Sequence, residues 1–334
     1  MNNGIDGRDV AGVLEDLGSG VYKLPTDYPE VCNAPLWTYL IKENDQFALV
    51  DPGVASTMQA TLAPAVADLG LHVENVVLVA ATHGHPDHSG GQFSWQHAVP
   101  AAKIAAPLAE TPWIESFDRQ WVEFWDDYPG TMDLISERHA YEALCTPEPR
   151  VDLVLRDGDA FTLGERSVQV IETRGHTWGH CAYFDERSGA LFTGDAVQGS
   201  GTRSSDGDSV FAPMYVDVTD TRWGLHRLLE HPFTWLCPAH APPLKHDDGV
   251  AFIHQSLEFI DRMDRLAREY VLECGGGPLT TRGLAERIGE TVGTNPPVSP
   301  QSVVTARAHL YALAREGSLE AAWLPKTAHS HASP

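Results

Sequence analysis

Cysteine is scarce in this 334-residue chain. There are five (Cys32, Cys145, Cys181, Cys237 and Cys274), odd in number, scattered, and never spaced Cys-x-x-Cys. That argues against a disulfide framework and suits reduced thiols in a cytosol. Basic residues are also few, 23 Lys and Arg against 46 Asp and Glu, for a formal charge of −23. The deficit is uneven: 14 basic and 35 acidic residues run up to Leu244, then 9 and 11 from Lys245 onward. A field of that sign repels nucleic acid and anionic membrane, so neither is expected as a partner. No apolar run approaches the 18 or so residues of a membrane span. The opening MNNGIDGRDVAGVLEDLG lacks a basic region followed by an apolar one, so no signal peptide is expected. G-x-S-x-G is absent as well, so no serine nucleophile elbow is signalled. The expectation is an acidic, cytoplasmic, globular protein, since the 43% hydrophobic and 21% charged fractions suit a sizeable core.

What is present begins with short β-branched runs that end in turn residues. LWTYLI, FALVDPG, VVLVAATHG, VDLVLRDGD, SVQVIETRG and ALFTGDA each read as a strand followed by a loop, with helical patterns at 57–69 and in SGGQFSWQHA. Strands mixed with helices imply an α/β fold, a sheet covered by helices. Residues 107–150 differ in character: Trp113, Phe117, Trp121, Phe124, Trp125 and Tyr128 fall in helical spacing. This insert serves either as core or as an apolar lid over a substrate pocket. A long amphipathic helix is expected over roughly 249–273, with Ile253, Leu257, Ile260, Met263, Ala267 and Tyr270 on one face. Two further helices follow, the second opening on Ser299 and Pro300 and closing at Gly317, and SLEAAWL reads as a short strand. The chain therefore divides into 1–245, a catalytic unit, 246–325, a small helical and winged-helix-like domain suited to packing or dimerisation, and 326–334, a disordered tail.

The stretch ATHGHPDHSGG gathers His83, His85, Asp87 and His88 in six positions. His83 and His85 alternate along an extended segment, and Pro86 turns the chain before Asp87 and His88. Two ligand pairs with different directions suit two metal ions, which need more donors than one tetrahedral site. More candidates follow downstream: His176 and His180 in ETRGHTWGH, Asp195 in LFTGDAV, and His240 in LCPAHAPP, each where a strand ends. Asp195 is a carboxylate able to bridge two cations. A set rich in nitrogen and carboxylate and free of thiolate suits two zinc ions, with iron or manganese as alternatives. Cations that share a water bring its pKa toward neutrality and yield a nucleophile. Asp51 in LVDPG reads either as an Asp-Pro-Gly turn former or as the acceptor for a ligand histidine's free N–H. His180 reads as a support beside the metal ligands, Trp178 as close enough to line the site, and Tyr215 either as a packing residue or as a donor to an oxyanion.

THGHPDHSGG, RGHTWGH, TGDA and PAHAPP resemble the metal motifs of the metallo-β-lactamase superfamily, in its glyoxalase II-like and lactonase-like branches, from about Gly20 to Leu244. The tail resembles the helical domain that follows the catalytic domain in lactamase-β-like 2 proteins. The resemblance implies an αββα sandwich of two mixed sheets. It implies one metal held by His83, His85 and His176, a second by Asp87, His88 and His240, and Asp195 between them. The chain departs from the family pattern in having Ala239-His240-Ala241 rather than Gly-His-Gly, and Trp178 where proline is common. His85 stands where electron-transfer relatives carry glutamate, which favours hydrolysis over redox chemistry. The expected function is that of a dinuclear zinc hydrolase. In it a metal-bridging hydroxide, held through Asp87 and Asp195, attacks the carbonyl of a small ester, thioester or lactone. Alternatives are a metal-dependent phosphodiesterase or ribonuclease, a β-lactam or amide hydrolase, and a non-catalytic metal-stabilised module. The expected partner is a small acyl substrate, with a homodimer as a further option.

Overall fold

The computed structural model of the protein describes residues 14–26, 34–125, 135–204, 206–275 and 279–319. Cys32, Tyr128, most of SLEAAWL and the 326–334 tail lie outside the described residues.

Two mixed sheets face each other. In the first, β1 (Glu15–Gly18), β2 (Val21–Thr26), β3 (Leu36–Glu43), β4 (Gln46–Val50), β5 (Val76–Ala80), β6 (Lys103–Pro107) and β7 (Leu153–Leu155) lie side by side in chain order. Pairing is antiparallel from β1 to β4 and parallel from β4 to β7. The second sheet takes β8 (Ala160–Leu163), β9 (Arg166–Glu172), β10 (Cys181–Asp185) and β11 (Ala190–Gly194). After the ribbon of β12 (Thr202–Arg203) and β13 (Ser209–Phe211), it is completed by β14 (Trp235–Pro238) and β15 (Leu244–Lys245). The β11–β14 pair is parallel and the other pairs are antiparallel.

Side-chain alternation along the strands explains the layering. On β3, Trp37, Tyr39 and Ile41 meet Phe161, Val170, Tyr183 and Phe192 between the sheets. Leu40 points the other way, joining Leu49 and Val79 under Leu62, Val66 and Trp95 of the covering helices. On β10, Tyr183 faces the inter-sheet core while Ala182 and Phe184 face the helices over the second sheet. The result is the expected αββα sandwich. β1, β2, β6, β8 and β10 were not singled out in the sequence. β10 is buried at every position, so CAYFD shows no polar alternation to read.

Arg166 ties the sheets together. Its guanidinium donates to Lys42 O on β3 at 2.8 Å and to Ser19 O at 2.7 Å. It also pairs with the buried Asp185 carboxylate on β10 at 2.7 Å.

The long helix spans His246–Cys274, three residues earlier than expected at its start, and buries Ile253, Ile260, Met263, Ala267 and Tyr270. Thr281–Val292 and Pro300–Arg315 follow, the latter capped by Ser299, whose hydroxyl accepts from Ser302 N at 3.2 Å. These helices share one buried cluster with the Val218–Leu229 helix and with Trp113, Phe117, Trp121, Phe124 and Trp125. These five aromatic residues are therefore core. Among the described residues no helix is long and apolar enough to cross a membrane.

Candidate metal centre

The candidate residues arrive at one edge of the sandwich because each follows the end of a strand. Asp51 comes after β4, residues 83–88 after β5, His176 and His180 after β9, Asp195 after β11 and His240 after β14. A sheet fixes such ends rigidly, so loops a few residues long can converge. Pro86 opens a helical turn, Pro86–Ser89, that carries Asp87 and His88. Gly194 must lack a side chain: its φ is 46°, and a Cβ there would meet His180 Nε2 at 2.9 Å and the Thr82 hydroxyl.

All seven proposed donors come together in three overlapping groups: His83, His85 and His176; His83, His88 and Asp195; and Asp87, His88 and His240. Within each, the ligand atoms lie within 4.8 Å of one another. Asp195 reaches across: Oδ2 is 3.5 Å from both His88 Nε2 and His176 Nε2, and Oδ1 is 3.5 Å from His240 Nε2. Asp87 Oδ2 lies 3.3 Å from His240 Nε2 and 3.5 Å from His88 Nε2.

The surrounding acceptors fix which ring nitrogen carries the proton. His176 Nδ1 lies 2.8 Å from Met214 O, His240 Nδ1 2.7 Å from Pro35 O, and His88 Nδ1 3.0 Å from Asp51 Oδ2. Carbonyls and carboxylates only accept, so each Nδ1 donates, and in the neutral form of each ring Nε2 is the bare lone pair. Thr82 Oγ1 donates to Asp51 Oδ2 at 2.9 Å, so His83 Nδ1 donates to that hydroxyl at 3.1 Å, and its Nε2 is bare too. His83 Nε2 and His176 Nε2 then face His85 Nδ1 at 2.8 and 3.0 Å. Three imidazole nitrogens converge where one proton at most can be shared. His88 Nε2 and Asp195 Oδ1 are buried with no hydrogen-bond partner. Divalent cations among these atoms would satisfy all of them, so the donor set fits metal.

Charge points the same way. Asp51 and Asp195 are buried and Asp87 is partly so. Among the described residues they form ion pairs only with histidines, never with Lys or Arg. Buried carboxylates of that kind call for a cation. Burial, with help from neighbouring histidines, holds His83 and His180 well below the usual range, and burial beside His176 takes His85 down to about 3. His88 is raised instead: burial works against its charge, but Asp87, Asp195 and Asp51 outweigh it. Burial alone would raise Asp87, yet the proximity of His88 and a hydrogen bond from His240 pull it to about 2. The first group is thus a neutral nitrogen cradle, whereas the Asp87, His88 and His240 group brings a carboxylate held ionised.

Beyond the donors, Asp51 is the acceptor for His88, and its Oδ1 takes the Thr82 amide at 2.7 Å. His180 Nε2 accepts the Asp195 amide at 3.2 Å, orienting that residue without joining the groups. Two further candidates make contacts within the fold. Trp178 packs against the buried cluster that holds Trp113, Phe124 and Trp125. The hydroxyl of Tyr215 lies 2.7 Å from His309 Nε2, so it is taken within the fold and not free for an oxyanion.

Sequence reasoning missed Glu110. Fully buried, it accepts Gly84 N at 2.8 Å on Oε2, and Thr177 Oγ1 and Gly179 N, both at 2.7 Å, on Oε1. It therefore binds the 83–88 and 176–180 loops to each other. Burial raises its carboxyl, against three hydrogen bonds that lower it. It follows strand β6 as the other candidates follow theirs, but β6 itself was not singled out in the sequence. Gln198, which accepts Met214 N at 2.7 Å, was missed too.

The centre opens into a cleft walled by Trp125, Tyr141, Phe211 and Met214, with Gln198 and Gln301 as polar points. Trp125 belongs to the buried core and to the cleft wall at once.

A family profile described as "Metallo-beta-lactamase superfamily" matches residues 35–258. Acyl-coenzyme A thioesterase MBLAC2 of Gallus gallus is 27% identical over 272 residues, 78% of this chain and 86% of that protein. Hydroxyacylglutathione hydrolase of Methylococcus capsulatus is 29% identical over 163 residues, 48% of this chain and 47% of that protein. Both relatives are, by name, hydrolases. A metallo-beta-lactamase family protein of Thermus thermophilus aligns with a TM-score of 0.67 at 22% identity, covering 90% of this chain and 95% of its own. A beta-lactamase domain protein of Burkholderia ambifaria gives 0.68 at 22%, over 92% and 89%. At that identity the solved structures establish the fold alone.

Proposed function

The chain belongs to the metallo-beta-lactamase superfamily, and from that premise we propose that it is a dinuclear zinc hydrolase of small acyl compounds: thioesters first, then esters and lactones. The observation that carries this is the convergence of bare nitrogen lone pairs and buried carboxylates, unpaired with Lys or Arg, beside an apolar cleft. The thioester preference rests on the names of the relatives, of which the thioesterase aligns over most of both chains.

His83, His85 and His176 would hold one cation, Asp87, His88 and His240 the other, and Asp195 would serve both. When bound, such a pair supplies Lewis acidity, making water acidic near neutral pH and polarising a carbonyl oxygen. The chain does the rest. Asp51 holds His88 directly and His83 through the Thr82 hydroxyl, fixing which nitrogen faces inward. Asp87 and Asp195, both held ionised, accept hydrogen bonds from the attacking water and aim it. Phe124 and Trp125 lie against His85, with ring centroids 5.2 and 6.4 Å away, and keep bulk water from that side. The cleft wall takes the acyl group. A net charge of −23 disfavours a long polyanionic chain, so the partner is read as a small molecule and not RNA.

The test is release of free thiol from a series of acyl-CoA thioesters by zinc-loaded protein, alongside lactone and RNA substrates. The proposal expects thioester hydrolysis that chelator abolishes and that His88→Ala and Asp195→Ala lose. Activity indifferent to chelator, or confined to RNA, overturns it.

A further inference from the structure

We infer that the C-terminal helix Pro300–Arg315 is a positioning element for the candidate metal centre, acting on His176 through the segment 213–217. The inference rests on the reading of His83, His85 and His176 as a cation site.

The segment is gripped from two sides in alternation. Its even positions serve the centre: Met214 O takes the His176 Nδ1 proton at 2.8 Å, Met214 N donates to Gln198 Oε1 at 2.7 Å, and Val216 N donates to Gly175 O at 2.7 Å. Its odd positions belong to the helix. Pro213 O accepts Thr305 Oγ1 at 2.6 Å, Tyr215 OH meets His309 Nε2 at 2.7 Å, and Asp217 pairs with Arg315.

The helix side is itself anchored. His309 is buried, and its Nδ1 donates to Asp264 Oδ1 at 2.8 Å on the His246–Cys274 helix. Asp264 Oδ2 in turn accepts from Arg222 at 2.5 Å on the Val218–Leu229 helix. With Nδ1 committed to Asp264, His309 Nε2 is the acceptor and the tyrosine hydroxyl the donor. The chain of contacts from Arg222 to the Met214 carbonyl is continuous, and it crosses from the helical tail to a candidate ligand. A carbonyl that orients a metal-binding histidine governs affinity as well as geometry, and losing such a partner costs about 10- to 100-fold in metal binding. Neither the His88 carboxylate partner, Asp51, nor the His240 partner, Pro35 O, belongs to this segment. The effect therefore falls on one of the two cations.

The experiment is a competitive chelator titration with zinc on the full chain, comparing wild type, Thr305→Val, Tyr215→Phe, His309→Leu and His309→Gln, with the melting temperature of the metal-free protein measured in parallel. Glutamine can still accept from Tyr215 and donate to Asp264. The expected result is one of two zinc affinities lowered about tenfold or more in Thr305→Val, Tyr215→Phe and His309→Leu, with His309→Gln near wild type. Should His309→Leu fail to fold, the two milder variants decide. Wild-type zinc affinities in variants whose metal-free melting temperature has dropped would show the helix to be merely structural and overturn the inference. Equal loss at both cations would also overturn it. Absence of zinc binding in wild type would instead overturn the reading of the centre, and this inference with it.

Discussion

Asp51 Oδ2 lies 3.0 Å from His88 Nδ1, and Asp51 holds a left-handed backbone conformation with φ 54° to put it there. Aspartate and asparagine tolerate that region better than most residues. Asp51→Asn therefore tests the carboxylate with little disturbance of the backbone. The variant cannot accept from His88, the Thr82 amide and the Thr82 hydroxyl together. Zinc affinity at the Asp87, His88 and His240 group should fall about 10- to 100-fold in a chelator competition, and an unchanged affinity would remove Asp51 from the site.

Glu110 should matter to both cations because it links Gly84 to Thr177 and Gly179. Glu110→Ala strands three donors, at about 1–3 kcal/mol for each left without a partner. A lower melting temperature is expected together with weaker zinc binding at both affinities. Lost stability with wild-type binding would make Glu110 a fold residue only.

Arg166 and Asp185 form a buried pair 2.7 Å apart between the sheets. Burial tends to raise the Asp185 carboxyl, but hydrogen bonds from Arg166 and Ser188 outweigh it and hold it below the usual range. Its stabilisation is complete above the unfolded value of about 3.9 and is lost as pH falls through the lower folded value. Arg166→Met leaves the carboxylate buried and unpaired, costing about 3–5 kcal/mol near neutral pH. In the variant, only the Ser188 hydrogen bonds still oppose burial, so the folded pKa rises and protonation relieves part of the cost as pH falls toward 4. Urea midpoints at pH 7 and pH 4.5 should show the gap between the proteins narrowing on acidification. A gap that does not change with pH contradicts this account of the pair.

The donors were legible because metal ligands carry their chemistry in their side chains and sat at the ends of recognisable strands. Asp51, His83, His176, Asp195 and His240 each follow a run such as FALV or ALFTG. The sandwich was legible from the same runs, and Ser299 with Pro300 announced the last helix. What stayed hidden acts through the backbone. The Met214 and Pro35 carbonyls that orient His176 and His240 have no side-chain signature. Glu110 is an ordinary glutamate until the fold brings three donors to it. Tyr215 was offered to an oxyanion, and only the fold of the tail shows His309 waiting for its hydroxyl.

Trp125 is almost wholly buried yet forms part of the cleft wall near His85. Trp125→Leu should raise KM for long acyl thioesters about tenfold, the equivalent of about 1.4 kcal/mol of lost apolar contact, and leave kcat nearly unchanged. Steady-state kinetics over a chain-length series checks this. A fall in kcat with constant KM would place the indole with the reacting atoms instead of the acyl chain.

Anomalous diffraction at the zinc edge, on crystals of protein loaded with zinc, addresses the pair of cations without reference to any substrate. Two peaks per chain are predicted, one among His83, His85 and His176 and one among Asp87, His88 and His240, with Asp195 within reach of both. A chain that binds no zinc there, its imidazoles still 2.8 and 3.0 Å apart, would contradict the account.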